Sequence, residues 1–385
     1  MKTIGIIAEY NPFHAGHAWH IAQTKQMFQE ETAVIAAMSG NWVQRGECAI
    51  TDKWTRTQMA LNGGSDLVLE LPTVWATTSA ESFAQGAIAT LSATGVVDVL
   101  SFGSECGEVA PLQELAHCIN SSAFSHALRQ ELEPKKSFAQ SRRMAVARIL
   151  GLEKATLLDH PNNNLGVEYL RFLPPNIEAV TISRRGANHD SKIEQDGFLS
   201  ASLLRQRLRG GQLKNISTFQ PSDMQWVERA LISRLRTMTL EEAESFPDSG
   251  DGLAARLLSA ARQTADLEEL YTLTKTRTYT HSRVRRLALY ALLGLRAADR
   301  PSAPLYLRVL GFNKLGQALL REMNQKATLP FFVKPAHIRR LSKEAQTAFA
   351  LEERFTDLFS LCFPTPKPCG LEWTTTPVIQ NISAV

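Results

Sequence analysis

The sequence contains no long hydrophobic run. Its apolar segments, such as the one from Ile4 to Ala8, are far shorter than the roughly 18 residues that cross a membrane. The same segment, preceded by a single lysine, is also too short to be the hydrophobic part of a secretory signal peptide. We therefore expect a cytoplasmic protein that has no membrane partner.

Cysteine is scarce, and the numbers of positively and negatively charged residues are nearly equal. Five cysteines occur in 385 residues, without a CxxC pair or a zinc-finger spacing. This pattern argues against a disulfide framework and against a structural zinc site, and we predict no metal ligands. The formal net charge of +4 permits a polyanionic partner such as nucleic acid but does not by itself indicate one.

Two common nucleotide-binding motifs are absent as well. The chain has neither a GxxxxGK[ST] phosphate loop nor a GxGxxG sequence after its first predicted strand. A nucleotide site in this protein would therefore be built from other residues.

The first half of the chain alternates short apolar runs with helical patterns. We predict buried strands at residues 4–8, 33–38, 66–71, 96–102 and 177–183. Because these strands are almost unbroken apolar runs, they indicate a parallel sheet that is covered on both faces. The predicted fold is α/β, with a doubly wound, Rossmann-like parallel sheet.

The pattern changes after about Lys214. Apolar residues then recur at helical spacing, which predicts helices over 253–270, 283–295, 315–323 and 341–361 and no further buried strand. A chain of this length usually exceeds one hydrophobic core. We therefore predict an α/β domain over residues 1–212 and a mainly helical domain over residues 213–385.

The segment "YNPFHAGH" follows the first predicted strand and leads into a helix. Ligands of open parallel sheets bind at this edge, and a helix N-terminus favours phosphate. His14 and His17 would then donate hydrogen bonds to phosphate oxygens, and Gly16 would let the backbone approach them. The alternative is that the histidines are ordinary exposed residues at a helix start, and the residue types alone leave both interpretations open.

Two other segments suggest contacts with anions. In "SASLLRQR", Ser200 and Ser202 would begin a helix and Arg205 would bind a leaving pyrophosphate, whereas the plainer interpretation is an N-cap followed by a solvated arginine. The segment "KTRTYTHSRVRR" interleaves Tyr279 with basic residues, which is typical of contacts with single-stranded RNA but also of a solvated helix start. Its candidate RNA-binding residues are Lys275, Arg277, Arg283, Arg285 and Arg286.

The "HAGH" segment resembles the HxGH signature of the nucleotidyltransferase superfamily. The ordered blocks "AEYNPFHAGH", "MSGNWVQRGECAITDKWTR", "MALNGGSDLVLELP", "SAESFAQGAI", "FGSE", "PNNNLGVEYL" and "ISRRGANHD" are similar to those of the bacterial tRNA(Met) cytidine acetate ligase family. The similarity is dense over residues 1–210 and looser afterwards. It implies an enzyme that activates acetate with ATP as acetyl-adenylate and acetylates N4 of the wobble cytidine of elongator tRNA(Met).

The resemblance also implies a set of site residues. The ATP contacts carried over to this sequence are Ile7, Ala8, Glu9, Tyr10, Asn11, Pro12, Phe13, His14, Ala15, Gly16, His17, Ala18, Trp19, His20, Gly103, Asn163, and Arg184 or Arg185. Ser202 and Arg205 match the second phosphate motif of the superfamily, and His14 and His17 would be catalytic. Ala15 and Asn164 depart from the family pattern, and Asn164 leaves the choice between Asn162 and Asn163 open.

Mg²⁺ would be carried mainly by the triphosphate, because the sequence shows no carboxylate cluster with metal-binding spacing. The base for the acetyl transfer step is not evident. Two alternative functions are a metabolic HxGH nucleotidyltransferase or acid–amine ligase that acts on a small molecule, and a non-catalytic RNA-binding protein. The arginine clusters argue against the first, and the intact pair His14 and His17 argues against the second.

Overall fold

The computed structural model describes residues 1–132, 137–184, 200–212 and 219–380. Its strands are β1 (Lys2–Ala8), β2 (Thr32–Ser39), β3 (Trp42–Val43), β4 (Glu47–Cys48), β5 (Leu67–Leu71), β6 (Val99–Ser104), β7 (Glu178–Ser183), β8 (Leu307–Phe312), β9 (Phe331–Phe332) and β10 (Val378–Ile379). Strands β3 and β4 form a separate hairpin, and the others belong to one sheet.

The sheet has the order β10-β8-β5-β2-β1-β6-β7, with β9 paired to β8. From β5 to β7 all neighbours are parallel, so the predicted doubly wound sheet and its five strands are confirmed. The chain runs from β1 to β2 on one side and later places β6 on the other side of β1. The carboxyl end of β1 is therefore a topological switch point, where open α/β sheets bind their ligands.

Helices cover the sheet and make up most of the second half of the chain. They are α1 (Ala15–Gln26), α2 (Lys53–Asn62), α3 (Thr73–Ala76), α4 (Ala80–Ser92), α5 (Val109–Ile119), α6 (Ser122–Glu131), α7 (Phe138–Leu150), α8 (Leu152–Thr156), α9 (Pro161–Phe172), α10 (Ala201–Arg209), α11 (Glu228–Thr237), α12 (Leu240–Glu244), α13 (Leu253–Ala261), α14 (Leu267–Thr274), α15 (His281–Leu293), α16 (Lys314–Lys326), α17 (Lys343–Phe359) and α18 (Leu371–Thr374). Short 3-10 helices lie at Leu157–Asp159, Met224–Val227, Ala297–Asp299, Pro335–Arg340 and Ser360–Cys362. None of the helices in the described ranges is both long and apolar enough to cross a membrane.

The prediction that no buried strand follows Lys214 is wrong. Strand β8 is completely buried and pairs antiparallel with β5, so the second half of the chain extends the sheet of the first half. Arg308 interrupts its apolar run, which is why the strand was not recognised. The mainly helical character predicted for the second half is confirmed, because β8, β9 and β10 are its only strands in the described residues.

Arg308 is accommodated by a buried cluster of charges that joins the two halves of the chain. Its guanidinium pairs with Glu372 and lies 3.6 Å from Glu70 on β5. The ammonium group of Lys53, on α2, lies 2.5 Å from Glu70 and also pairs with Glu372. Because each charge has an opposite partner, the cluster avoids the large free-energy cost of an isolated buried ion.

Candidate nucleotide-binding site

The loop between β1 and α1 turns sharply before it reaches the histidines. Tyr10 has a φ of +45°, and the peptide bond between Asn11 and Pro12 is cis. The Oδ1 atom of Asn11 accepts a hydrogen bond of 2.7 Å from the backbone N–H of Ile50. The segment after β4 therefore fixes the position of this turn.

The buried guanidinium of Arg56 joins the carboxyl ends of β1 and β2. It donates hydrogen bonds to the carbonyl oxygens of Glu9 at 2.6 Å, Ser39 at 3.0 Å and Thr51 at 3.1 Å, and a further one to Gly40. Burial lowers the pKa of Arg56 to about 10, so the side chain is still charged near neutral pH. These bonds hold the start of the loop against the neighbouring strand.

His14 and His17 form a reciprocal cap at the start of α1. The backbone N–H of Gly16 donates to Nδ1 of His14 at 3.1 Å, and the backbone N–H of His14 donates to Nδ1 of His17 at 3.2 Å. Because each Nδ1 is an acceptor, each neutral ring carries its proton on Nε2. Two Nε2–H donors are thus held at a helix N-terminus, where an anion is favoured.

A cavity of about 1150 Å³ lies beside this loop. The predicted ATP-binding residues that line it are Ile7, Ala8, Glu9, Tyr10, Asn11, His14, Gly16, His17, Trp19, His20, Gly103, Arg184 and Arg205. The other predicted contacts that the structure describes lie outside the cavity lining, and they are Pro12, Phe13, Ala15, Ala18, Asn163 and Ser202. Arg185 falls outside the described residues.

Gly103 lies on β6, and Arg184 directly follows the neighbouring strand β7. A Cβ atom placed on Gly103 would come within 3.3 Å of Cγ of Arg184, so the absence of a side chain leaves room for the arginine. The guanidinium of Arg184 donates to Oδ1 of Asn162 at 2.6 Å. Burial lowers the pKa of Arg184, and the carboxylate of Glu105 opposes this change.

The structure favours Asn162 over Asn163 as a cavity residue. Asn163 is completely buried, and its Oδ1 accepts hydrogen bonds from the backbone N–H groups of Glu105 at 2.8 Å and Cys106 at 3.1 Å. Asn162 and Asn164 line the cavity instead. Asn163 therefore supports the loop after β6, Asn162 lies at the cavity wall, and a contact of either asparagine with ATP stays a prediction.

The second predicted phosphate motif lies beside the first. Ser200 is the N-cap of α10, as its spacing predicted, and accepts a hydrogen bond from the backbone of Leu203. Arg205, one turn later, donates to the carbonyl oxygen of Asn11 at 2.9 Å and thus contacts the histidine loop. Ser202 accepts a long hydrogen bond of 3.4 Å from Arg205.

Glu9 adds a carboxyl group to the same wall of the cavity. Its Oε1 accepts a hydrogen bond of 2.8 Å from the backbone N–H of Gln44. Burial raises the pKa of Glu9, whereas the Gln44 hydrogen bond and the nearby Arg205 and Arg45 lower it. Gln44 lies in the turn between β3 and β4, and its position shortly after the carboxyl end of β2 is the sequence signal that points to it.

His20 differs from the other two histidines of the loop. It lines the cavity, but its Nε2 is engaged with the hydroxyl group of Ser101 at 2.9 Å. Burial, together with the positive charge of Arg184, lowers the pKa of His20 to about 4. The ring is therefore neutral at physiological pH.

The basic segment before and within α15 divides into exposed and paired residues. Lys275 and Arg277 are exposed and make no ion pair with a described residue. Arg283, Arg285 and Arg286 pair with Asp251, Glu268 and Asp248 at 3.1, 3.2 and 3.2 Å. These acidic partners were not anticipated, because they lie 17 to 38 residues away in the chain.

The buried position of Tyr279 does not fit the aromatic contact with RNA that its place among basic residues suggested. The side chain is only 9% exposed, and its hydroxyl group donates to the carbonyl oxygen of Asp251. Its ring also lies against the guanidinium of Arg283, with 5.4 Å between the ring centroid and Cζ. The aromatic ring therefore contributes to packing at the start of α15.

The cavity extends from the histidine loop to the start of α15, where Thr280, Ser282 and Arg286 line it. The turn between β3 and β4 lies against the start of α15. Gly46, at φ +77°, packs so closely on α15 that a Cβ atom would lie 2.4 Å from the backbone nitrogen of Arg286. No signal in the sequence places Thr280 and Ser282 at the cavity.

Comparisons with known proteins agree with this architecture. Residues 1–370 match the HIGH Nucleotidyl Transferase family. The tRNA(Met) cytidine acetate ligase of a Thermoanaerobacter species is 34% identical, covering 97% of this chain and 98% of its own, and that of Halothermothrix orenii is 33% identical, covering 99% and 100%. Crystal structures of Thermotoga maritima TmcAL, one apo and one bound with alpha-thio ATP, are 30% identical and cover 99% of this chain and 100% of theirs, with TM-scores of 0.92 and 0.91. The chain belongs to the HIGH nucleotidyltransferases and, within them, to the tRNA(Met) cytidine acetate ligase family.

Proposed function

We propose that this protein is a cytoplasmic ligase that uses ATP to activate acetate as acetyl-adenylate and then acetylates N4 of the wobble cytidine of elongator tRNA(Met). The observation that carries the proposal is that the same cavity is lined by His14 and His17 and by the start of α15. A nucleotide activated at the histidine loop would share this space with an RNA nucleotide that enters beside α15. Family membership and the ATP analogue in the Thermotoga maritima structure support the same conclusion.

In the first step, an acetate oxygen attacks the α-phosphorus of ATP and pyrophosphate leaves. A carboxylate needs no base for this attack, so the protein mainly has to position the reactants and stabilise negative charge. The Nε2–H groups of His14 and His17 would donate to phosphate oxygens, and the N-terminus of α1 would add its partial positive charge. Arg205, adjacent to Asn11, is the candidate for binding the leaving pyrophosphate.

Mg²⁺ fits this scheme as an ion brought by the triphosphate. No group of three or more His, Cys, Asp or Glu side chains in the described residues has the arrangement of a metal site. Mg²⁺ commonly binds to substrate phosphates through few protein ligands. When bound, it would neutralise part of the negative charge on the phosphates, while the histidines and Arg205 orient them.

In the second step, N4 of cytidine attacks the acetyl carbon, the bond to the AMP oxygen breaks, and N4 loses a proton. This step requires that the anticodon reach the cavity. Lys275 and Arg277, just before α15, are the exposed basic residues nearest in sequence to the cavity residues Thr280 and Ser282. We assign the RNA phosphate contacts primarily to these two residues, while Arg283, Arg285 and Arg286 have acidic partners within the protein.

Exchange of labelled pyrophosphate into ATP tests the first step. We expect exchange that depends on acetate, since formation of acetyl-adenylate is reversible when pyrophosphate is supplied. Exchange that requires both acetate and tRNA would show that RNA completes the site. Absence of exchange under every condition, with ATP still bound, would contradict acetate activation and favour a nucleotidyltransferase with a different substrate.

A further inference from the structure

Three buried or half-buried side chains form a hydrogen-bonded chain beneath the cavity. Thr24 Oγ1 donates to the carbonyl oxygen of His20 at 2.9 Å and lies 2.7 Å from Oγ of Ser101. Ser101 Oγ in turn lies 2.9 Å from Nε2 of His20. Thr24 and Ser101 are completely buried, so their hydrogen-bonding groups must be satisfied by one another.

This arrangement determines where the proton of His20 lies. A carbonyl oxygen only accepts, so the single hydroxyl proton of Thr24 is used on the carbonyl of His20. Ser101 must then donate to Thr24, which leaves the oxygen of Ser101 as an acceptor for His20. The proton of the neutral imidazole is therefore on Nε2, and Nδ1 carries a lone pair.

The free lone pair of His20 is available to a ligand. The ring lines the cavity, and no described residue donates a hydrogen bond to Nδ1. The low pKa of His20 keeps the lone pair unprotonated at neutral pH. His20 is thus a fixed acceptor, whereas His14 and His17 present donors.

We propose that Nδ1 of His20 accepts a hydrogen bond from a ribose hydroxyl group of the bound nucleotide and makes the site specific for ribonucleotides. Ionised phosphate oxygens have no proton to donate, so this histidine is not a phosphate ligand. His20 is three residues beyond His17, which is a rise of about 4.5 Å along α1. If His17 binds a phosphate group, the part of the nucleotide nearest to His20 would be the sugar, because the sugar is directly bonded to the phosphates.

The floor of the cavity supports the same position for the sugar. Ser101 and Gly103 are two residues apart on β6, so both face the same side of the sheet. Ser101 fills its position by binding His20, whereas Gly103 lines the cavity beside it, with the side chain of Arg184 over the position that a Cβ atom would take. The inference rests on the proposed ATP site but not on acetate or tRNA as substrates.

The test compares binding of ATP, 2′-deoxyATP, 3′-deoxyATP and purine riboside triphosphate, which lacks the adenine amino group, by calorimetry without acetate or tRNA. The wild-type protein should bind one of the two deoxynucleotides about 10- to 100-fold more weakly than ATP, the usual effect of leaving a buried partner unsatisfied. His20→Ala should bind that deoxynucleotide and ATP with nearly equal affinity. His126→Ala, which changes an exposed histidine of α6, is the matched control and should retain the wild-type preference.

A second variant separates this specific role from general damage to the site. Thr24→Val removes the acceptor for the proton of Ser101, which can then donate to Nε2 of His20 and move the imidazole proton to Nδ1. Nitrogen-15 NMR of labelled histidine should show an Nε2–H ring in the wild type and a shift toward Nδ1–H in the variant, with a reduced preference for ATP. Thr24 itself need not touch the nucleotide.

Three results would overturn the inference: a wild-type ring protonated on Nδ1, an unchanged nucleotide preference in His20→Ala, or weaker binding only for purine riboside triphosphate. The last result would identify the adenine amino group as the donor. Because binding is measured without acetate or tRNA, failure of acetate activation in the pyrophosphate assay would not affect this test.

Discussion

The imidazole rings of His14 and His17 are stacked with 3.8 Å between their centroids and 24° between their planes. Each ring uses Nδ1 to accept a backbone hydrogen bond, so the cap of α1 and the chemistry of the cavity depend on the same two side chains. The cap fixes the neutral tautomer whose Nε2–H would meet phosphate. The cap of α1 therefore also has the geometry of an anion-binding site.

Replacing His14 or His17 by alanine should lower kcat/KM for acetate-dependent pyrophosphate exchange by at least about 100-fold, because a donor to developing phosphate charge is lost. Affinity for tRNA should change less than about twofold, measured by filter binding, since these residues contact phosphate of the nucleotide. Loss of the cap should cost only about 1 kcal/mol in the free energy of unfolding. His117→Ala, at an exposed position of α5, is the control, and unchanged exchange in both site variants would remove these histidines from the mechanism.

The double variant Lys275→Ala/Arg277→Ala should weaken tRNA binding while acetate activation is retained. If both side chains contact phosphates, the slope of log K against log salt should become shallower by about 1.5, because fewer counterions are released. Arg321→Ala, which removes an exposed charge on α16, should leave affinity and slope nearly unchanged. Wild-type affinity and slope in the double variant would place the RNA surface elsewhere.

Arg286→Ala should destabilise the protein by about 1–3 kcal/mol in urea denaturation. Its side chain is 9% exposed and pairs with Asp248, and its removal leaves this partly buried carboxylate without its partner. Arg285→Ala is the matched control, since its partner Glu268 is 80% exposed and such pairs contribute less than about 1 kcal/mol. Equal losses in the two variants would contradict a structural role for Arg286.

Glu352 should make stability depend on pH. Burial, followed by repulsion from Glu70, raises its pKa from 4.5 to about 7. The folded protein then holds this proton more tightly than the unfolded chain, so the stabilising contribution is complete below pH 4.5 and is lost as the pH rises through about 7.

Glu352→Gln imitates the protonated form and should remove this dependence. As the pH rises from about 5 to about 8, the free energy of unfolding of the wild type should fall by roughly 2–3 kcal/mol relative to that of Glu352→Gln. The control is Glu353→Gln, which alters the adjacent carboxylate of α17. Parallel stability profiles for wild type and Glu352→Gln would contradict the assigned titration.

The parts of the structure that sequence predicts best are those with local signals. The five parallel strands are short apolar runs, and the loop at the end of β1 carries its own pattern in His14, Gly16 and His17. The switch point at β1 then follows from the strand order, so the edge of the sheet that holds the site was predictable. Ser200 was likewise recognisable as an N-cap from its position before an apolar helix.

The remaining features depend on contacts between distant parts of the chain. Strand β8 contains Arg308, whose charge is tolerated only because Glu70 and Glu372 surround it. The choice between Asn162 and Asn163 depends on the rotation of α9 against β6, which the run of three asparagines does not reveal. The pairing of Arg286 with Asp248 could not be anticipated for the same reason.

The most direct test of the central claim is analysis of an unmodified elongator tRNA(Met) transcript after incubation with the protein, ATP and acetate. Nuclease digestion and mass spectrometry should show N4-acetylcytidine at the wobble position, only when ATP and acetate are both present, and not with His17→Ala. An unacetylated transcript after incubation with folded protein that binds both ATP and the tRNA would contradict the assignment as a cytidine acetate ligase.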